Sequence, residues 1–269
     1  MVKKLYKHEC IAWLRFLPWI WGITLAVAGI HRLMQLFESD SIFYVILIGF
    51  TSVMYLLALL ACPAFTTIFG VVRFYRHFFT GEGYLTFTLP VSYKAHLWVK
   101  ISTAALFTLV SSAVCLLSGL IVTTGEVFVE VIKAAQYLIR QAPADITAHL
   151  PWYGLEFAFI GICSLFYGYL MYGTCICLGQ LAHKHRILAA VGVYFGFYMV
   201  TQTLSTVGNV TFMMLTETGT LDSLNTFIAN NAQLCVHIGL GACIVLSVVC
   251  SLVFWLICHW VLRKRINLE

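Results

Sequence analysis

The chain has 269 residues, of which 61% are hydrophobic and 10% charged, and its mean hydropathy is +0.91. A soluble domain of this length cannot hide so much apolar surface, so the composition excludes a soluble protein and indicates an integral membrane protein. We interpret the net charge of +5 as a topology signal and expect no nucleic-acid partner.

Six apolar runs are long enough to cross a membrane as helices, since about twenty residues span a hydrocarbon core of about 30 Å. A β-barrel would show short segments of alternating polarity, whereas these runs are continuously apolar. We therefore predict an all-α membrane protein with a single transmembrane domain over residues 1–269. The predicted spans are Phe16–Leu36, Ile42–Val72, Ala95–Val122, Leu155–Leu181, Ile187–Met214 and Leu234–Val261.

Lysine and arginine are divided unevenly between the two sides that six spans create. Cytoplasmic loops retain positive charge and translocated loops are depleted of it, so both termini are predicted to be cytoplasmic. Arg32, Lys133 and Arg140 are then the basic residues on the outer side. The inner ones are Lys3, Lys4, Lys7, Arg15, Arg73, Arg76, Lys94, Lys100, Lys184, Arg186, Arg263, Lys264 and Arg265.

The first fifteen residues have the pattern of an interfacial helix, with apolar side chains such as Trp13 on one face and lysines on the other. We predict an elbow helix over residues 1–15 that lies along the inner leaflet and turns into the first span near Pro18. A frayed basic tail is the alternative. The lysines of the polar face, which point toward anionic lipid head groups, are Lys3, Lys4 and Lys7.

The second span is longer than a bilayer requires, because the run Ile42–Val72 measures about 46 Å as a helix. We predict that its end protrudes into the cytoplasm and carries a polar and aromatic loop, residues 73–92. This loop combines two arginines, a histidine, several aromatic rings and two glycines, Gly81 and Gly83, which permit backbone angles closed to other residues. Such a composition indicates a partner-binding loop, and an aromatic belt at the inner interface is the alternative.

Two segments are predicted to lie on the outer side. Within residues 123–153, a helical period over Glu126–Gln141 separates charged from apolar residues, so we expect an amphipathic helix there. Its role as a gate for cargo or as a packing cap is open. Residues 215–233 form the second extracellular loop, which is rich in Thr, Asn and Gly.

A few residues inside the predicted spans suggest specific contacts. Charges at membrane depth are usually paired, so Arg32 and Glu156 are a candidate intramembrane pair, unless both side chains reach the head groups. Gly192 and Gly196 form a small-xxx-small pattern that lets two helices approach closely, within this chain or across a dimer.

The sequence lacks the motifs of common enzymes. It contains no Gly-Lys dipeptide, which a P-loop requires, and no H-E-x-x-H motif, so we predict no catalytic residue. The ten cysteines lie mostly within the spans, where a thiol packs as a small apolar group. Neither the pair Cys175 and Cys177 nor the pair His183 and His185 is typical of a metal site, so we expect no metal.

The most specific local pattern is Phe79-Thr-Gly-Glu-Gly-Tyr-Leu-Thr-Phe-Thr-Leu-Pro-Val-Ser92. It is similar to the acidic-Gly-Tyr-x-Thr-x-x-Leu-Pro-Val run found in membrane subunits of type-2 ATP-binding-cassette (ABC) exporters. The whole chain resembles the small six-span permeases of Gram-positive bacteria in this family. Its basic N-terminus, long second span and 73–92 loop match the elbow helix, long inward helix and first cytoplasmic loop of those permeases.

This resemblance implies a permease of the bacterial plasma membrane that moves amphipathic, antimicrobial or toxin peptides out of the cell. ATP and Mg would be bound by a partner, and this chain would bind no cofactor. The implied partners are two copies of a cytoplasmic ATPase, a second permease subunit in a homodimer or heterodimer, and membrane lipids. The implied coupling helix, which docks on the ATPase between spans two and three, comprises Arg76, Phe78, Phe79, Thr80, Gly81, Glu82, Gly83 and Tyr84.

Three other functions are kept as alternatives. An ABC permease for lipids or hydrophobic drugs would have the same architecture, and a membrane scaffold or sensor would transport nothing. A secondary transporter is disfavoured, because the halves show no convincing repeat and no midplane acid is available for ion coupling. Dependence on ATP separates the scaffold or sensor and the secondary transporter from an ABC permease.

Overall fold

The computed structural model describes residues 2–37, 41–81, 83, 91–123, 126–141, 147–182, 184–219, 226–228 and 230–264. Within these ranges the chain is helical and contains no strand. The long helices are α1 (Val2–Gln35), α2 (Ile42–Phe79), α3 (Tyr93–Thr123), α4 (Glu126–Gln141), α5 (Leu150–Gly179), α6 (Arg186–Glu217) and α7 (Ala232–Lys264).

Six of these helices, all except α4, are long and apolar enough to cross a membrane. The prediction of an all-α membrane protein with six spans is therefore confirmed. The amphipathic helix predicted on the loop after the third span is also confirmed, since α4 covers Glu126–Gln141. The length of α2, 38 residues or about 57 Å, confirms that this helix exceeds what a bilayer needs.

The N-terminus differs from the prediction. The separate elbow helix over residues 1–15 is not seen, because α1 is one continuous helix that includes Pro18. A proline inside a helix removes one backbone hydrogen bond, and packing on both sides of it can offset that loss. Trp13 precedes Pro18, Leu17 adjoins it and Thr24 follows it, and all three are buried.

The chain divides into two compact units, each described by itself. Unit 1 contains α1, α2 up to Phe78, α3 and α4, and unit 2 contains α5, α6 and α7 together with the short segment Phe79–Gly81. The single domain over residues 1–269 stays a prediction.

In unit 1, α1 and α3 pack side by side in the same direction. Trp13 stacks on Phe107 with the ring centroids 5.2 Å apart, and further along both helices Trp21 Nε1 donates to Ser111 Oγ at 2.8 Å. Ser111 also bonds Thr66 Oγ1 of α2 at 2.8 Å, so one hydroxyl joins three helices. Interhelical hydrogen bonds of this kind are a main source of helix association in membranes.

In unit 2, α5 and α7 are the parallel pair. Thr174 Oγ1 of α5 donates to the carbonyl oxygen of Phe254 at 3.2 Å and lies 3.3 Å from Cys258 Sγ. The α5–α6 turn is close-packed, because a Cβ on Gly179 would come within 2.6 Å of the Ala190 backbone. Glycine is therefore required at position 179.

The predicted packing glycines have a different environment. A Cβ placed on Gly192 or Gly196 would have no described atom within 4 Å. Gly179 is thus a site of close approach within the described part of the chain, and contact at Gly192 and Gly196 across a dimer stays a prediction.

Replacing Trp13 tests the packing of unit 1. We expect Trp13→Ala to lower the free energy of unfolding by about 3 kcal/mol, because it removes a buried ring that contacts both Phe69 and Phe107. Trp19, which is 76% exposed on the same helix, is the control, and Trp19→Ala should change stability by about 0.5 kcal/mol or less. Pulse proteolysis in mixed micelles measures both variants, and equal losses would contradict the packing described.

Candidate functional site

A buried ionic cluster joins the three long helices of unit 1. Glu9 of α1 accepts from two cations: Arg73 Nε of α2 donates to Oε2 at 2.8 Å, and Lys100 Nζ of α3 donates to Oε1. Glu9 is 4% exposed and Lys100 is 7% exposed. We call Glu9, Arg73 and Lys100 the Glu9 cluster.

The energetics of the Glu9 cluster follow from its burial. Removing a carboxylate from water costs several kcal/mol, and the cost is met only where opposite charges and hydrogen bonds replace the lost water. Glu9 has both of its oxygens bonded to cations, so the carboxylate is stable there as an anion. The same bonds hold α2 and α3 against α1.

The surroundings of the Glu9 cluster are tightly packed. Tyr6 and Ser102 share a hydrogen bond of 2.5 Å one turn away, and His96 lies one turn before Lys100 on α3. His96 is 1% exposed, and neither ring nitrogen has a hydrogen-bond partner among the described residues. Phe74, next to Arg73, packs on Phe78 with ring centroids 4.9 Å apart.

Part of the predicted coupling helix follows directly from this cluster along α2. Phe78 is fully buried within the chain, and its contact with a partner stays a prediction. The described remainder is more accessible: Arg76 and Gly81 are exposed, and Phe79 and Thr80 are half-buried. Gly83 is buried, whereas Glu82 and Tyr84 lie outside the described residues.

The N-terminal part of α1 matches its predicted two faces but has a different setting. Lys3, Lys4 and Lys7 are exposed, whereas Trp13 is buried against α2 and α3. Glu9 is not among the residues predicted from the sequence. Its signal was position, since Glu9 lies four residues from both Leu5 and Trp13 and so occupies the apolar face of the helix.

A second polar cluster lies at the start of α5 and α7 in unit 2. His237 Nδ1 donates to Glu156 Oε1 at 2.7 Å, and the ring of Tyr153 stacks on that of His237 at 4.6 Å. His149 meets His237 edge to face at 5.8 Å. We call His149, Tyr153, Glu156 and His237 the Glu156 cluster.

The candidate pair of Arg32 and Glu156 has partners inside each unit. Arg32 donates to Gln35 Oε1 at 3.2 Å in unit 1, and Glu156 is bonded to His237 in unit 2. Contact between Arg32 and Glu156 stays a prediction.

The described residues contain neither a disulfide bond nor a group of side chains suited to a metal ion. All ten cysteines are free thiols, and the described ranges hold no group of three His, Cys, Asp or Glu side chains that could ligate a metal ion. Cys177 and Cys258 are both fully buried, which agrees with a packing role. His183 lies outside the described residues.

Comparison with known proteins returned no relative. No protein-family model, no curated protein and no solved structure matches this chain.

Removing the Glu9 carboxylate tests the Glu9 cluster. We expect Glu9→Gln to lower the free energy of unfolding by about 3–5 kcal/mol, because two cations lose the anion they share. Lys7→Gln, which changes an exposed charge on the same helix, should cost about 0.5 kcal/mol or less.

The double variant Glu9→Gln/Lys100→Met refines this test. It should be more stable than Glu9→Gln alone. In Glu9→Gln both Arg73 and Lys100 lose their anion, and the double variant removes one of these two charges. Pulse proteolysis in mixed micelles measures all three variants. If Glu9→Gln is as stable as Lys7→Gln, the Glu9 cluster does not hold the helices together.

Proposed function

We propose that this chain is the permease subunit of an ABC exporter, and that the helix α2 couples it to a cytoplasmic ATPase. The observation that carries the proposal is that the end of α2 extends past the length of a membrane core and is bonded to α1 there. Arg73 lies about 46 Å along this helix from Ile42, beyond the reach of a core of about 30 Å, and it is ionically bonded to Glu9 there. The segment Arg76–Gly83 follows immediately.

The Glu9 cluster would give such a permease a rigid mechanical connection. A push on Phe79 by a closing ATPase would pass along the helix to Arg73, and from Arg73 through Glu9 to α1 and α3. Because a buried ion pair has one favourable geometry, the three helices would move together. ATP and Mg would act only on the partner, in two copies.

The Arg76–Gly83 segment would bind the ATPase mainly through Phe79 and Glu82. Phe78 is buried within the chain, whereas Phe79 is only half-buried. Of these two rings, Phe79 is therefore the one that would enter a pocket of the partner. Aromatic side chains that enter a pocket dominate many interfaces, and an acid beside them selects a basic partner surface.

The α6 helix supports a path for amphiphilic cargo. None of the side chains of α6 is buried, although it includes Gln202 and Asn209, which lie two turns apart on one face. Amides at membrane depth are costly against lipid and favour a polar path or a partner helix. In an exporter, this face would line part of the path of an amphipathic peptide, in a homodimer or heterodimer of permeases.

Co-purification tests the coupling role. We expect the wild-type chain to retain a cytoplasmic ATPase and to stimulate its activity, and both Phe79→Ala and Glu82→Arg to reduce the amount retained by about tenfold or more. Phe65→Ala is the matched control, because Phe65 is an exposed phenylalanine earlier on α2. Full retention and stimulation in both variants would refute the docking role, and absence of any ATPase with the wild-type chain would refute the exporter.

Peptide sensitivity tests the cargo. We expect deletion of the gene to make cells more sensitive to amphipathic antimicrobial peptides, and the wild-type chain to restore resistance. Gln202→Leu should restore less resistance than Leu204→Ile, since it removes an amide from the proposed path whereas the other variant keeps an apolar side chain. Unchanged sensitivity together with unchanged peptide secretion would contradict peptide export.

A further inference from the structure

The Glu156 cluster resembles the Glu9 cluster, except that its glutamate is bonded to one basic side chain among the described residues instead of two. In each unit, a glutamate near the start of the first helix is bonded to a basic side chain near the start of the third helix: Glu9 to Lys100, and Glu156 to His237. In unit 1 the second carboxylate oxygen accepts from Arg73 of the middle helix. Glu156 Oε2 is buried and has no hydrogen-bond partner in the described part of the chain.

No counterpart of Arg73 is found close in sequence to Glu156 or His237. The stretches 142–157 and 210–237 contain no lysine or arginine. They contain four acidic residues, namely Asp145, Glu156, Glu217 and Asp222. These stretches of the sequence therefore carry an excess of negative charge, which favours a cation from elsewhere.

Tyr153 provides a second unsatisfied group in the same cluster. It is 7% exposed, its ring stacks on His237, and its hydroxyl has no hydrogen-bond partner among the described residues. A buried hydroxyl or carboxylate oxygen without a partner destabilises the folded state, so such groups usually mark a ligand or a water. Glu156 and His237 keep about a quarter of their side-chain surface exposed, so the cluster reaches the surface of unit 2.

The chemistry of the cluster selects a primary ammonium group. One carboxylate oxygen and one phenol oxygen can accept two N–H bonds from a single compact ammonium, and the aromatic rings beside it attract cations. A metal ion fits less well, because the described ranges hold no group of three suitable ligands.

The depth of the cluster places it among lipid head groups. The α5 helix has 30 residues and is about 45 Å long, so about 7 Å extends beyond a core of about 30 Å at each end. Glu156 lies about 9 Å from the start of α5, close to that boundary. Trp152, which is exposed one turn earlier, is a typical interfacial residue.

We propose that the Glu156 cluster is a binding site for a primary ammonium group, supplied by an ethanolamine lipid head group or by a soluble amine. Glu156 Oε2 accepts one N–H of the ammonium and the Tyr153 hydroxyl oxygen accepts another. His237 holds the carboxylate in place through Oε1. The site is independent of the exporter function, since it requires no ATPase.

Lipid retention tests the proposal on the full chain. Purified chain is mixed with phosphatidylethanolamine and phosphatidylcholine of identical acyl chains, and retained lipid is counted by native mass spectrometry. We expect the wild-type chain to prefer phosphatidylethanolamine by about tenfold, because the quaternary amine of phosphatidylcholine has no N–H to donate. Glu156→Gln should abolish the preference, whereas Glu217→Gln, which changes an exposed acid of the same unit, should keep it.

Tyr153→Phe is the second variant, since it keeps the stacked ring and removes only the hydroxyl. It should reduce the preference about threefold, as expected for loss of one neutral acceptor. Soluble ethanolamine separates the two sources. If it displaces phosphatidylethanolamine, the site accepts ammonium from either source, and if it leaves the bound lipid in place, the lipid is the ligand.

A third result would identify a soluble amine as the ligand. In that case ethanolamine would raise the melting temperature of the wild-type chain but not of Glu156→Gln, and neither lipid would be preferred. Two results would overturn the proposal: equal retention of both lipids with no effect of ethanolamine, or a preference that survives in folded Glu156→Gln.

Discussion

The structure of unit 1 depends on one buried carboxylate. In a membrane, apolar helices gain little by leaving lipid for each other, so specific polar contacts decide which faces meet. Glu9 accepts from Arg73 on one oxygen and from Lys100 on the other, which sets both neighbours of α1 at the same level. Farther along α1, the hydroxyl of Ser111 joins the same three helices. These two points determine the register of α1, α2 and α3.

The two units share one arrangement of their first and third long helices, but they differ in how the middle helix is bonded to that pair. Each packs its first and third long helices in parallel and bonds them through a glutamate near their start. The middle helix differs, because α2 contributes Arg73 and buries Phe74 and Phe78, whereas α6 buries none of its side chains. Hydrogen bonds thus join all three helices of unit 1, whereas α6 meets α5 and α7 through aromatic rings and buries no side chain.

Several elements could be predicted from the sequence and others could not. The α4 helix was located because its charged and apolar residues alternate with the helical period. The continuity of α1 was missed because proline usually disrupts a helix, and only the burial of Trp13 and Leu17 around it explains why this helix continues. Phe78 and Phe79 are adjacent and identical in type, so composition could not show that only Phe78 is fully buried.

The sequence by itself determined the membrane character, the six spans and the excess length of α2, because hydropathy and helical rise depend on consecutive residues. Only the tertiary structure decided which charged residues meet. Glu9, Arg73 and Lys100 are far apart in the chain, as are Glu156 and His237. No local pattern encodes such pairs, because they form where separate helices cross in low dielectric, and there an unpaired charge is too costly to remain.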